Sequence, residues 1–177
     1  MTAWSHLSSL RRRQALPRST AAFSLIELMV AVTILSMLFV IAVPTYQRLQ
    51  RKARTAAIVN DFRVFATALQ AHAHDAGSWP AESGPGVVPP GMTGEELKFD
   101  DWTHPTPIGG HFDWENNQLH GAVRYRAAIA ITDTSDAPLP FDYDQLLDID
   151  QACDDGDLTT GNFRLGNGNC PLFVIEN

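Results

Sequence analysis

Five aspartates crowd ten residues: Asp148, Asp150, Asp154, Asp155 and Asp157, with Gly156 among them. Carboxylates at that density repel one another unless they are solvated or neutralised, and hard oxygen donors suit calcium. The order is not that of an EF-hand, because Ala152 occupies the third ligand place and no acid closes the loop. The stretch therefore reads either as a calcium loop or as a solvated acidic face. Cys153 and Cys170 enclose 16 residues nearby. Outside the cytoplasm an even pair points to a disulfide, which a loop of that size makes worth about 3 kcal/mol in the chain-entropy picture. The alternative is two free buried thiols. His104, His111 and His120 stand at spacings of 7 and 9, which match no compact zinc pattern. His72 and His74 read as surface positions of a helix. There is no nucleophile elbow, phosphate loop or HExxH. No enzyme activity is expected and no cofactor is required.

A different kind of chemistry sits near the N-terminus. Residues 23–43 form an apolar run of 21 residues whose only ionisable side chain is Glu27. About 20 apolar residues span a bilayer as a helix. A lone carboxylate there costs about 2.5–3.5 kcal/mol on insertion scales, so it needs a partner. Residues 1–22 carry Arg11, Arg12, Arg13 and Arg18 and no acid, whereas the remainder carries 9 basic and 20 acidic residues. A basic block before an apolar run is a membrane-targeting signature. The positive-inside bias puts the basic end in the cytoplasm and the rest of the chain outside. Arg48, Arg51, Lys52 and Arg54 follow the span and oppose that bias. A secretory signal is a poorer reading: the run is long for such a signal, and Pro44 crowds the nearest small-residue cut. A plain anchor leaves Glu27 unexplained.

The chain has 177 residues, 45% hydrophobic and 19% charged, with a net charge of −7. It can bury a core, and its acidity argues against a nucleic-acid-coating surface.

The stretch from Ala22 through Phe23, Ser24, Leu25, Ile26 and Glu27 to Leu28 resembles the processing site of type IV pilins and type II secretion pseudopilins. In that family a prepilin peptidase cuts before a Phe, methylates the new amine and leaves Glu as the fifth mature residue. Here the resemblance implies a cut between Ala22 and Phe23, with N-methylation at Phe23. Ala22 stands where the family usually has Gly, and Pro44 falls where many pilins carry a proline. The Asp-Pro-Trp-Gly segment of the major secretion pseudopilin is absent. The resemblance implies a structural subunit of a type IV pilus-like or type II secretion pseudopilus filament, in the bacterial inner membrane as a single-pass protein with its head outside the cytoplasm, then in a periplasmic or surface filament. The partners it implies are copies of the chain and other pilin-like subunits, the peptidase, an inner-membrane assembly platform and membrane lipid. It also implies a disulfide closing the C-terminal loop, and it favours calcium there. Glu27 of one subunit would meet the Phe23 amine of the next. The rival of a different class is a signal-anchored periplasmic enzyme or binding protein.

The elements that must carry these groups are legible in the periodicity. Ile58, Phe62, Phe65, Leu69 and His72 make one helix stripe, and Gly77 with Pro80 stops it. The spacing predicts one helix over about 24–76, kinked or locally melted at Pro44. Residues 78–110 have an ordered-loop composition with apolar anchors at Trp79, Val87, Val88, Met92, Leu97, Phe99 and Trp102. Alternation predicts a hairpin over 110–132 that turns at 115–118. Asp142 with Gln145 resembles a capping box, with Tyr143, Leu146 and Ile149 as the inward stripe, and 171–175 reads as a last strand. The expected fold is α+β: a leader of 1–22, a transmembrane or filament-core helix of 23–43, its amphipathic continuation over 44–77, and a small antiparallel head of 78–177.

Overall fold

The computed structural model describes residues 23–177. The expected leader of 1–22, with its arginines and the Ala22 side of the junction, lies outside the described residues. Helix α1 runs Leu25–Ala76, followed by α2 (Phe99–Thr103), strands β1 (His111–His120) and β2 (Val123–Thr132), helix α3 (Tyr143–Cys153), β3 (Phe163–Leu165), a 3₁₀ turn over Asn167–Asn169, and β4 (Pro171–Glu176). The strands form one antiparallel sheet in the order β1-β2-β4-β3. A long N-terminal apolar helix with a four-stranded antiparallel sheet is the α+β, pilin-like arrangement that the sequence predicts. The described residues fall into two units, one ending at Val43 and one beginning at Pro44.

In the first unit the side chains of residues 23–43 are exposed. Alternating polar relief is missing, so this stretch has no amphipathic face to bury. In the second unit α1 buries Thr55, Ile58, Val59, Phe62, Phe65, Ala66 and Leu69. Positions three and four apart stack on one face of a helix, and this face lies on the sheet. Phe62 meets Phe112, Phe163 and Phe173 at ring-centre distances of 5.8, 5.9 and 5.2 Å. Phe65 meets Trp102 and Phe112 at 5.1 and 4.9 Å. The helix assignment is continuous through Pro44, so the local melting expected there is not found. Gly77, at φ 75°, ends the helix in the left-handed region that glycine enters without steric cost.

Three expectations are corrected. The hairpin does not turn at 115–118. Strand β1 continues through those residues and pairs Glu115 with Ala128 and Gln118 with Tyr125. The turn is the two-residue connection at Gly121 and Ala122, where Gly121 takes φ 63°. Residues 78–110 are not wholly irregular, because α2 inserts Trp102 into the core. Of the expected anchors, Met92, Leu97 and Trp102 are buried, while Val87 and Phe99 are exposed. In α3, Asp142 does accept the Gln145 N–H at 3.1 Å, but the Gln145 side chain donates to Thr55 Oγ1 at 2.8 Å instead of closing the box, and Tyr143 points outward.

The segment before α2 runs beside β1. Ser83 bridges to Trp114, the Pro80 carbonyl accepts from Trp114 Nε1 and Asn116 Nδ2, and Gly86 N–H donates to the Phe112 carbonyl at 2.8 Å.

Candidate functional site

Ser24 precedes the first residue of α1, and Glu27 Oε2 accepts the Ser24 backbone N–H at 2.9 Å. A helix leaves its first N–H groups without intrahelical partners, and a carboxylate in the first turn both satisfies one and sits well in the helix dipole. Ser-Leu-Ile-Glu has the spacing of a capping box, a signal the expectations above passed over. Around this one charge the surface is apolar. Phe23, Leu25, Ile26, Leu28 and Met29 are all exposed, and an 18-residue window of the helix has a mean hydropathy of 2.6. Such a helix is long and apolar enough to cross a bilayer. Glu27, the one carboxylate of residues 23–43, stands four residues beyond the amine that a cut before Phe23 would create.

The acidic loop divides. Asp150, Asp154 and Asp155 bring ligand oxygens within 4.8 Å of one another. Asp148 does not join them: it lines a groove beside Lys52 and Ala152. Asp157 accepts from the Thr159 amide and hydroxyl at 3.0 and 2.6 Å, which hold its carboxyl below the usual range. Asp154 Oδ2 accepts from the Asn162 and Phe163 amides, and Asp155 from Thr160 Oγ1 at 2.8 Å. Asp150 is fully buried and neither of its oxygens has a hydrogen-bond partner. Burial raises its pKa, and Asp155, Asp154 and Asp157 add to the rise; a nearby Gly156 N–H opposes it without reaching hydrogen-bonding geometry. Calcium–oxygen bonds of about 2.3–2.6 Å set ligand oxygens up to about 5 Å apart, so this donor set fits a hard cation. An orphaned buried carboxylate is costly and a cation would neutralise it.

The thiols are not joined. Cys153 and Cys170 are free and half-buried. Cys153 ends α3 and packs against the core cluster under α1, whereas Cys170 packs with Tyr125, Ala128, Ala130, Leu172 and Val174 on the other face of the sheet. The sheet stands between the two, which is the physical reason that the expected pairing is absent here. Burial pushes the Cys153 thiol up to about 12 and the Cys170 thiol up to about 11.

The histidines face separate partners. His104 Nδ1 lies 2.6 Å from the Asp100 carbonyl, His111 Nδ1 lies 2.9 Å from Thr134 Oγ1, and His120 Nδ1 accepts the Asn167 N–H. His72, expected on the helix surface, lies half-buried with Nδ1 3.2 Å from Glu96 Oε1.

Sequence alone gave no sign of a carboxylate pair on the face of β1 that points away from α1. Asp113 is raised to about 6 by burial and by Glu82, against the Thr132 hydroxyl that donates to it at 3.0 Å. Glu115 is raised to about 7 by burial, then by Asp113 and Glu82. The alternation of β1 places both on one face, but only the small side chains opposite, Ala128 and Ala130, explain how deeply they sit.

Residues 17–43 match the family model described as the prokaryotic N-terminal methylation motif, the prepilin motif of type IV pilins and pseudopilins. No curated protein matches the chain. The matched segment overlaps the part of α1 that is long and apolar enough to cross a bilayer.

Two outcomes follow from the titrating groups. Because Asp113 and Glu115 are raised above their unfolded range, the native state binds more protons than the unfolded chain between about pH 4.5 and 7. Stability contributed by their neutral forms is therefore lost as pH rises through that window. The melting temperature should fall from about pH 4.5 to about pH 7.5, and Asp113→Asn should flatten the dependence; a temperature that rises across this range would count against it. In the same way, the high thiol pKa values make Cys153 and Cys170 poor nucleophiles. Iodoacetamide should label both slowly in the native protein and completely after unfolding without reductant. A linked peptide in non-reducing mapping would restore the disulfide.

Proposed function

We propose that the chain is a filament subunit. Prepilin peptidase cuts between Ala22 and Phe23 and methylates the Phe23 amine. The inner-membrane platform then builds residues 23–43 into the core of a type IV pilus-like or type II secretion pseudopilus filament, with other copies and other pilin-like subunits. In this reading 1–22 is a leader, 23–43 a membrane and then filament-core helix, 44–77 its amphipathic half and 78–177 the head, outside the cytoplasm. Pro44 is the place for a kink, since it has no N–H to donate.

The observation that carries the reading is the matched motif around one carboxylate, Glu27, in a surface that is otherwise apolar and exposed. In lipid a lone subunit keeps that charge poorly matched. In a filament the Phe23 amine of the adjoining subunit supplies the counter-charge, so pairing sets the register and favours extraction from the membrane. The hydrogen bond from Ser24 favours a second reading, in which Glu27 only caps the helix of a simple anchored protein.

One pair of substitutions separates these readings. Gln keeps an acceptor for the Ser24 N–H and loses the charge; Val loses both. With Glu27→Gln the mature chain should still begin at N-methylated Phe23 by mass spectrometry and still accumulate in the membrane. Its filament yield should collapse as severely as that of Glu27→Val, because leaving one member of a buried pair costs about 3–5 kcal/mol at every subunit. Normal filaments from Glu27→Gln would leave the cap as the whole role of the residue.

The reading extends to calcium in the C-terminal loop, held by Asp150, Asp154 and Asp155, where it would supply charge neutralisation and no chemistry. Calcium at 100 times its dissociation constant should stabilise the protein by about 2.7 kcal/mol over a chelator. Asp150→Asn should remove that response. A wild-type midpoint that ignores calcium would refute the site.

A further inference from the structure

Helix α1 has oppositely charged flanks within the second unit. Asp61 lies nine positions after Lys52. At about 100° per residue they stand on opposite sides of the helix, with the buried stripe between them. On one flank, grooves of about 440 and 600 Å³ are edged by Lys52, Arg63 and Arg48, with Asp148 as their only acid. Arg48, Lys52 and Arg63 are exposed, and none takes part in the ion pairs found among the described residues. Arg51 is different, because Asp142 and Asp144 already hold it at 3.8 and 3.3 Å.

On the other flank, a groove of about 390 Å³ is edged by Asp61, Asp100 and Asp101, with His104 and Phe112 behind them. Asp101 has Lys98 at 3.9 Å in an exposed contact of the kind that contributes little. Asp61 is half-buried and raised by burial, and the Asp101 charge adds to the rise against its hydrogen bond to Asn60 and the Lys98 charge. The acids crowd one another, so a cation from outside would be favourable there.

The two patches of opposite sign thus lie on opposite flanks of α1. They suit a head-to-tail contact, which closes into a ring or runs on as a helix. We propose that the Arg48–Lys52–Arg63 flank of one copy docks against the Asp61–Asp100–Asp101 groove of another copy of this chain. The occupant is argued from charge complementarity, and the proposal rests on the filament reading above, which supplies the repeated side-by-side placement of copies. It names a contact that the Glu27 pairing does not, on a part of the chain that the methylation motif does not cover.

Charge exchange in the full chain, produced in its own cells, tests it. Lys52→Glu and Asp101→Lys each alter an exposed side chain and set like charges against each other across the contact. Each alone should lower sheared-filament yield about tenfold or more at unchanged membrane level, and the double variant should recover it. Singles that assemble like the wild type, or a double no better than the singles, would overturn the docking.

A second measurement does not depend on filaments. Copies with Lys52→Cys and copies with Asp101→Cys, carrying different tags, are mixed in one membrane and oxidised. A mixed disulfide dimer is expected, in excess over same-residue dimers. Same-residue dimers only, or none, would overturn the contact, including where a charge variant fails to accumulate. If the wild-type chain makes no filament, the filament reading fails, and the cross-link alone then decides whether the two flanks meet.

Discussion

Phe62 holds the head together. Its ring touches rings from β1, β3 and β4, three of the four strands, while the residues around it on α1 close over Ile129 and Ile131 of the remaining one. Each ring pair adds about 0.5–1.5 kcal/mol beyond the area it buries. More important is geometry: strands far apart in sequence converge on one helix position. The hairpin and the last strand are also joined by the β2–β4 ladder, and the aromatic layer seats that sheet on the helix. The four-residue spacing from Ile58 to Phe62 therefore fixes where the whole sheet can sit along α1.

The same helix does two unlike jobs with one backbone. Over residues 23–43 it shows apolar side chains in every direction and offers no preferred face, as suits an apolar solvent or a ring of similar helices. From Thr55 onward it has a narrow buried stripe and polar flanks. The second half is also richer in alanine, the strongest helix former, and the first in β-branched residues. The difference is where charged side chains are allowed: Thr33 and Ser36 turn their hydroxyls back to the helix carbonyls, and Glu27 is the one charge of the first half.

Periodicity made the large elements legible. The stripe from Ile58 to Leu69 and the Asp142 cap are a strong repeat and strong local chemistry, and the structure keeps them. The alternation of β2 is kept only in part: residues 127–131 are buried on both faces, and Tyr125 packs with Ala128 and Ala130, away from Ala127, Ile129 and Ile131. What was illegible has physical reasons. Strand β3 has three residues, too few for alternation to show, and it exists because β4 offers it hydrogen bonds. Asn116 and Asn117 looked like a turn, yet Asn tolerates the left-handed region, so Asn117 at φ 57° fits inside a strand while Gly121 turns the chain. In the acidic loop, composition marked five aspartates equally. Only folding separates a buried Asp150 from an Asp157 occupied by Thr159, because burial is a property of what packs above a residue. The cysteines likewise needed the sheet to be in place before the face each occupies was defined.

The way the sheet finishes on its two sides has a consequence of its own. A strand with unpaired backbone invites another chain to add itself, the route to donor-strand complexes and to amyloid. Here the outer side of β1 is occupied: Ser83 bridges to Trp114, Gly86 takes the Phe112 carbonyl, and Pro80 accepts two side-chain donors. At the other limit, β3 offers a stub of three residues that a loop follows at once. The head thus offers backbone-templated growth a partly covered strand at one margin and a three-residue stub at the other. A crowd of these molecules at high local concentration can associate through helices and side chains, which release one another, and is protected from the cross-β stacking that does not.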